Sequence, residues 1–486
     1  MNRRDRRRQL AELPKAPDLS ARFANDVKIA TTLHKQGRLK EAVDVYRKVV
    51  KVYEGHPDVR VAWSNLGAAL QGLGKFDDAV IALKKARALK PDHPPPHHNL
   101  GMALLQQNKL EEALESLTRA IELDPNFHDA WVGLGIACEK LGDMGRAEDA
   151  CRRALAADPR SLQARFNLAN VLRQTGRPDA AKAELEACLA QEPNFAEAIY
   201  TLGRLEEVGG NPAAAAERYL ATLKLVPQAE PVHNQLGQAL QALAERDPEQ
   251  ARRLAATWRE TYPDSPIAQH RAAALLGEGT TRASDDFLVN QFNPFAEIYD
   301  EAMAAVDNHA PELLLAALGK VLGEPTGGLS VLDAGCGTGL LAPGLKPYAK
   351  ALTGVDLSPG MVEKARARGL YDSLEVAELT AWLAGQAGRF DLMAAGDVLP
   401  YLGDLAGPVS TLAGALAPGG TLGLTAERLE EGTWTLLPTG RYSHSETYLR
   451  QVLESAGLTV ATLHEEVLRR EGGEPVVGYV VVAGKA

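Results

Sequence analysis

The chain has 486 residues, 45% of them apolar and only 5% aromatic, enough for two or more domains with cores of their own. Its 53 Lys and Arg stand against 63 Asp and Glu, net −10, which argues against partners held by charge alone, such as nucleic acid or an anionic membrane. No stretch approaches the ~18 apolar residues of a membrane span, and Cys138, Cys151, Cys188 and Cys336 lack metal-ligand spacing, so no metal site is expected.

In chain order, Arg3, Arg4, Arg6, Arg7 and Arg8 come first. No apolar run follows them, so this is not a secretory signal, and a cytoplasmic chain is expected. Residues 1–24 are expected to form a basic, disordered arm, either merely solvated or in contact with anionic lipid or RNA.

From 25 to 262 the chain repeats itself. Gly67, Gly101, Gly135, Ala169, Gly203 and Gly237 recur every 34 residues, as do Pro91, Pro125, Pro159, Pro193 and Pro227, and Ala79, Ala113, Ala147, Ala181 and Ala215. The unit Trp63-x-x-Leu66-Gly67-x-x-Leu70-x-x-x-Gly74-x-x-x-x-Ala79 closely resembles the tetratricopeptide repeat. The resemblance implies pairs of antiparallel helices, with small residues letting the helices approach and prolines ending the second helix. Six units run from about Asp26 to Val226, and a degenerate seventh keeps Leu236–Gly237 but has Glu249 where alanine is expected, as fits an end cap. Three of the cysteines fall at small-residue positions, so buried free thiols are expected.

Stacked units of this kind form a superhelix with a concave wall, which the residue before each Leu–Gly pair faces. Those residues are Asn65, Asn99, Gly133, Asn167, Thr201 and Gln235. A carboxamide both donates to and accepts from a peptide backbone. The series resembles the asparagine ladder of some peptide-binding repeat proteins, O-linked sugar transferases among them. Asn65, Asn99, Asn167 and Gln235 are therefore candidates for holding a protein or peptide partner; the alternative is a solvated polar wall.

Tyr262-Pro263-Asp264-Ser265-Pro266 stops a helix, Ile267–Leu276 is expected to seal the array, and Gly277–Asp286 reads as a linker. Capping helix and linker together occupy 263–286. A second domain, 287–486, alternates strands and helices. Strands are expected at Ser330–Asp333, Ala351–Asp356, Leu374–Ala377, Phe390–Gly396 and Thr421–Thr425, with a closing hairpin of Thr459–Arg469 and Val476–Val482.

The first strand runs into Asp333-Ala334-Gly335-Cys336-Gly337-Thr338-Gly339, and the second ends at Asp356, 21 residues after Gly335. This order places a nucleoside at the carboxyl edge of a parallel sheet. The spacing G-x-G-x-G differs from the dinucleotide fingerprint and resembles the first motif of class I S-adenosylmethionine-dependent methyltransferases. Leu416-Ala417-Pro418-Gly419-Gly420 and the terminal hairpin resemble the same family. So does Phe295-Ala296-Glu297-Ile298-Tyr299-Asp300, part of a helix that covers the cofactor there.

The expected chain is thus multidomain: an all-α tetratricopeptide solenoid followed by an α/β, doubly wound, Rossmann-like methyltransferase domain. By the resemblance, Asp333, Gly335, Cys336, Gly337 and Gly339 surround the methionine of S-adenosyl-L-methionine. Asp356 binds the ribose, Leu357 flanks the adenine, and Glu378 with Leu379 stands where the family usually has an Asp near the adenine amino group. Asp397 lies close to the sulfonium, and Tyr299 either contacts the cofactor or simply packs on the sheet.

Leu437–Ser445 follows the fifth strand, where the acceptor pocket is usually built. His444 is the base candidate by residue type, unless it is a surface loop histidine. Arg441, Tyr442 and Tyr401 are candidates for positioning the acceptor, and Asp397 either orients it or satisfies backbone donors. Three functions fit: a methyltransferase whose array recruits a partner or the substrate, a small-molecule methyltransferase whose array mediates assembly, and a scaffold that only binds S-adenosylmethionine. The acceptor itself is not named by the sequence.

Overall fold

The computed structural model describes residues 19–486. The arginine-rich start lies outside the described residues. The first helix, Leu19–Lys35, begins inside the segment expected as an arm, because Phe23 is buried against Tyr53 and His56. By contact the chain divides into two units, up to Leu205 and from Glu206 onward.

The first unit is a run of paired helices: Leu19–Lys35 with Leu39–Val52, Val59–Gly72 with Phe76–Leu89, Pro94–Gln106 with Leu110–Leu123, His128–Lys140 with Met144–Ala157, and Leu162–Gln174 with Pro178–Gln191. The periodic glycines explain the pairing. A Cβ on Gly67 would overlap Leu83, one on Gly101 would lie 2.5 Å from Leu117 Cγ, and one on Gly135 would lie 3.0 Å from Cys151 Sγ. The prolines have a second role. Six residues beyond four of the five, a side chain turns back to the proline carbonyl: His97 Nε2 at 2.8 Å from Pro91 O, Trp131 Nε1 at 2.8 Å from Pro125 O, Arg165 Nη2 at 3.0 Å from Pro159 O, and His233 Nε2 at 2.9 Å from Pro227 O. All four cysteines of the chain are free and buried.

The helix Ala196–Val208 runs across the division, and the second unit continues with the array's remaining helices, Pro212–Leu225, Glu230–Ala244, Pro248–Thr261 and Pro266–Leu276. Ser265 caps the last of these, and Gly277 ends it at φ +71. Nine strands follow: β1 Leu329–Ala334, β2 Ala349–Asp356, β3 Ser373–Val376, β4 Phe390–Ala395, β5 Leu416–Arg428, β6 Trp434–Leu436, β7 Tyr442–His444, β8 Leu458–Glu471 and β9 Glu474–Lys485. They form one sheet in the order β3-β2-β1-β4-β5-β7-β6, with β9 antiparallel to both β5 and β8. β1 pairs in parallel with β2 on one side and β4 on the other. The winding direction therefore reverses at β1/β4, and a crevice opens beyond their carboxyl ends.

The segment expected as a linker is anchored. Thr281 O accepts from Gly403 N and Asp404 N, both at 2.9 Å, and Ala283 N donates to Tyr401 O at 2.9 Å. His270 Nε2 lies 2.8 Å from Gly440 O, which fixes the array's last helix to the β6–β7 turn. The β6–β7 hairpin, absent from the sequence reading, is short, and its turn is closed by Gly440 at φ +80.

Candidate active site

Gly335, Gly337 and Gly339 all adopt left-handed backbone, at φ +69, +53 and +91. Their surroundings differ. A Cβ on Gly335 would overlap Val398, and one on Gly339 would lie 3.1 Å from Tyr371 and Arg368, whereas one on Gly337 would meet nothing within 4 Å. Gly335 N and Cys336 N both donate to Val355 O, at 2.8 and 2.9 Å, which lays the turn against β2. The middle glycine thus presents bare backbone to the crevice, the feature a closely bound nucleoside requires.

Two carboxylates support this turn. Asp333 is buried beneath it and accepts from the Tyr371 hydroxyl at 2.6 Å; burial pushes its pKa up to about 7, and Oδ1 has no partner. Asp356 accepts from Gly337 N at 2.9 Å and Ser358 N at 2.8 Å. Burial raises its pKa while those backbone donors oppose the rise. Asp356 lines the crevice; Asp333, Cys336 and Gly339 lie behind its wall.

Leu357, Glu378 and Leu379 continue the wall beside Asp356. Glu378 caps the short helix Leu379–Leu383, accepting from Ala381 N at 2.7 Å, and pairs with Arg282 at 3.2 Å. Burial opposes its ionisation, but these donors and Thr380 hold its pKa below the usual value.

A cover forms part of the crevice wall. Helices Asp285–Phe292 and Tyr299–Ala305 bring Leu288, Phe292 and Tyr299 to its wall. The Phe292 ring sits edge-on to Tyr401, with centroids 5.2 Å apart. Asn293 Oδ1 accepts from Gly360 N at 2.7 Å, Glu297 pairs with Lys364 at 2.5 Å, and Asp300 accepts from both the Thr338 hydroxyl and Arg368. The cover is therefore clasped to the glycine turn itself. Tyr299 is held at the wall, its phenol pKa raised by burial and by Asp397, Tyr401 and Asp356.

Asp397 and Tyr401 form the far end. Asp397 follows β4 at φ +55, a strained position for a non-glycine residue. Its Oδ2 accepts from Asn308 Nδ2 at 3.2 Å, and its Oδ1 lies 3.9 Å from Arg469 with no hydrogen bond. Burial raises its pKa, against the pull of Arg469 and Asn308. Behind it, Arg441 and Arg469 share Glu427 and Glu471. Arg441 lies 2.6 Å from Glu427 and 2.7 Å from Glu471; Arg469 lies 2.7 Å from Glu471 and bonds Glu427 as well.

The Arg441–Tyr442–His444 trio does not line the crevice, contrary to its expected place in the acceptor pocket. Arg441 is tied to its two glutamates. The Tyr442 hydroxyl donates to Thr280 O at 2.8 Å. His444 is wholly buried in β7, with Nε2 3.1 Å from Gly403 O, Nδ1 unpartnered and its ring stacked on Tyr448. Burial lowers its pKa to about 4. The physical reason is the unforeseen hairpin: the segment expected as an exposed loop is a strand inside the sheet, and it supports the Leu402–Asp404 loop from behind.

Of the array residues, Asn65 and Asn99 are half-buried and Asn167 is buried. Asn99 Nδ2 reaches Ser64 Oγ at 3.3 Å, and Asn167 Oδ1 accepts from Gln163 at 2.8 Å, leaving its Nδ2 without a partner. Gln235, on the second unit, is half-buried with Oε1 unpartnered. The roles of Asn308, Arg469 and the Asp300 clasp escaped the sequence reading, although Asp300 and Arg469 lie in segments it had singled out. Among the described residues no group of acids, histidines and cysteines is arranged to hold a metal ion.

Residues 304–463 match the family model of a methyltransferase domain, and 21–92, 98–161 and 140–205 match models of the tetratricopeptide repeat. The chain is 33% identical over 181 residues to the ubiquinone biosynthesis O-methyltransferase of Xylella fastidiosa (strain 9a5c), covering 33% of this chain and 73% of that protein. It is 39% identical over 102 residues to methyltransferase-like protein 27 of Homo sapiens, covering 21% of this chain and 42% of that one. Among solved structures it is similar to a thermophilic tetratricopeptide protein of Thermus thermophilus, with 22% identity, 37% of this chain and 98% of that one covered, and TM-score 0.34.

Proposed function

The chain belongs to the methyltransferase family, with tetratricopeptide repeats ahead of its methyltransferase domain, and on that premise we propose that it is an S-adenosylmethionine-dependent enzyme acting on a small acceptor. The bare backbone at Gly337 beside Asp356 carries this reading. When bound, S-adenosylmethionine would supply an electrophilic methyl carbon on a cationic sulfonium. The chain's own work is positional. Asp356 holds the ribose hydroxyls, Leu357, Glu378 and Leu379 bracket the adenine, and the clasped cover excludes water. Asp397 takes the acceptor's proton, its raised pKa suiting it to that role better than an ordinary carboxylate. Tyr299 and Tyr401 align the acceptor, and alignment alone lowers such barriers by about 7–11 kcal/mol. His444 is a positioning residue beneath the Gly403 loop.

The small-molecule pathway in the name of the Xylella relative favours a small acceptor over a protein side chain. The array's role is docking: Asn65, Asn99 and Asn167 in the first unit, and Gln235 in the second, each offer a carboxamide to a partner's extended peptide. For the domain limits we keep, as part of this proposal, the array to 262, the cap and tether to 286 and the transferase from 287.

Calorimetry with S-adenosylmethionine tests the first step, and absence of saturable binding would end the proposal. Asp397→Asn is expected to lower methyl transfer about 100-fold or more while leaving cofactor affinity within a few-fold. Replacing Asn65, Asn99 and Asn167 together by Ala is expected to abolish partner capture without touching turnover; unchanged capture discards the ladder.

A further inference from the structure

One irregularity of the sheet reaches the crevice from behind. Along β8, Val467 pairs with Val477 and Arg469 with Val476, so Leu468 is one residue more than its partner strand can match. Such a bulge bends the strand and re-aims the side chains beside it. The fold makes room for the extra residue. A Cβ on Gly478 would overlap Leu468 and Ala426 O, and Leu468 lies fully buried against the bare glycine.

Two groups reach Asp397 from this bulge. Arg469, only 6% exposed, gives Nε to Glu471 at 2.7 Å and Nη2 to Glu427, and its Nη1 faces Asp397 Oδ1 at 3.9 Å. The backbone on either side of Arg469 fastens the segment ahead of helix Ala310–Leu322: His309 N donates to Leu468 O and Arg470 N donates to Val306 O, both at 2.7 Å. Between these bonds stands Asn308. Its Nδ2 donates to Asp397 Oδ2 at 3.2 Å, and its Oδ1 accepts from Ala310 N at 3.1 Å. Each carboxylate oxygen of Asp397 therefore faces one group that the bulge sets in place. Asp397 also keeps a φ of +55, a backbone conformation that persists only where the surroundings hold it.

We propose that the β8 bulge is the positioning device of the acceptor site: Arg469 and Asn308 hold the Asp397 carboxylate in one orientation at the crevice wall, ready for the acceptor's proton. The proposal rests on the methyltransferase reading above and names what keeps its base in place. Both residues act through Asp397. Burial raises the pKa of that carboxyl; Arg469, Asn308 and Arg441 pull it down, Glu427 pushes it up, and the Tyr299 and Tyr401 phenols stand near it with their own pKa values raised. Loss of Arg469 or of the Asn308 amide therefore raises the Asp397 pKa, and the carboxylate takes up its proton at a higher pH as pH falls.

The test reads Asp397 directly, in the full chain without added ligand, by NMR titration of isotope-labelled aspartate carboxyls, its resonance identified by its loss in D397N. In R469Q, checked by circular dichroism for an unchanged fold, the titration midpoint is expected to rise by about one pH unit or more. In R469K, which keeps the charge, it is expected to rise less, and in N308A it is expected to rise as well. A purely structural role predicts no such order. An unmoved midpoint in R469Q, or the same midpoint in R469Q and R469K, would overturn the proposal. Should R469Q fail to fold, the half-buried Asn308 decides: a raised midpoint in N308A supports the proposal and an unmoved one overturns it. Failure of S-adenosylmethionine to bind strikes the methyltransferase reading instead, since the midpoints are measured on the unloaded chain.

Discussion

Gly335 and Gly337 occupy one turn for different physical reasons, and substitution separates them. Alanine at Gly337 meets only the left-handed backbone penalty, about 1–2 kcal/mol, yet places a methyl group where the proposed function puts the nucleoside. Gly337→Ala is expected to fold and to lose cofactor affinity by ten-fold or more in calorimetry. Alanine at Gly335 adds an overlap with Val398, so its loss is expected in stability, about 3 kcal/mol once overpacking is included, read by denaturant unfolding. His444 provides a pH signature. Its folded pKa of about 4 lies below the ordinary histidine value of 6.5, so the unfolded state binds the proton first as pH falls. The stability from keeping this ring neutral is full above about pH 6.5 and is lost down to pH 4, amounting to about 3 kcal/mol. His444→Gln lacks that slope, and chemical denaturation of both proteins across this window checks it. The sequence displayed the turn glycines and Asp356 because their chemistry follows from local spacing. It did not display the burial of His444, since nothing local tells an exposed loop from a strand that pairs with the end of β5.

At the scale of elements, the cover and the glycine turn are one unit. Asp300 joins helix Tyr299–Ala305 to Thr338 and Arg368, and Asn293 and Glu297 fasten the same segment to helix Pro359–Ala367. Asp300→Ala removes the central clasp and leaves the crevice wall untouched. It is expected to accelerate cofactor release several-fold in stopped-flow measurements, with a loss of about 1 kcal/mol or less in stability because the ion pair is partly exposed. The helix–strand alternation was legible from periodicity: β1, β2, β3 and β4 fall within two residues of their expected bounds. The β6–β7 hairpin was not. Its strands are three residues each, too short for any alternation to register, and they exist because β5 extends to Arg428 and offers Glu427 and Arg428 as an edge.

At the scale of the molecule, the junction residues behave as part of the sheet domain. A chain begun at 287 loses Thr281's two bonds to the Gly403–Asp404 backbone, the Ala283–Tyr401 bond, the Tyr442–Thr280 contact and the His270 pin. It is expected to melt at markedly lower temperature than one begun at 230, by calorimetry, while both lack the first unit. Equal melting temperatures would show that these contacts contribute little. Composition and period identified the array and the sheet domain correctly, but glycine and serine around 277–286 suggested slack because turn-forming residues look alike whether the chain is free or pinned. That pinning limits how such proteins can be recombined. An engineer exchanging one repeat array for another must splice ahead of Glu230, because the final helices, though written in the array's alphabet, are organs of the enzyme they precede.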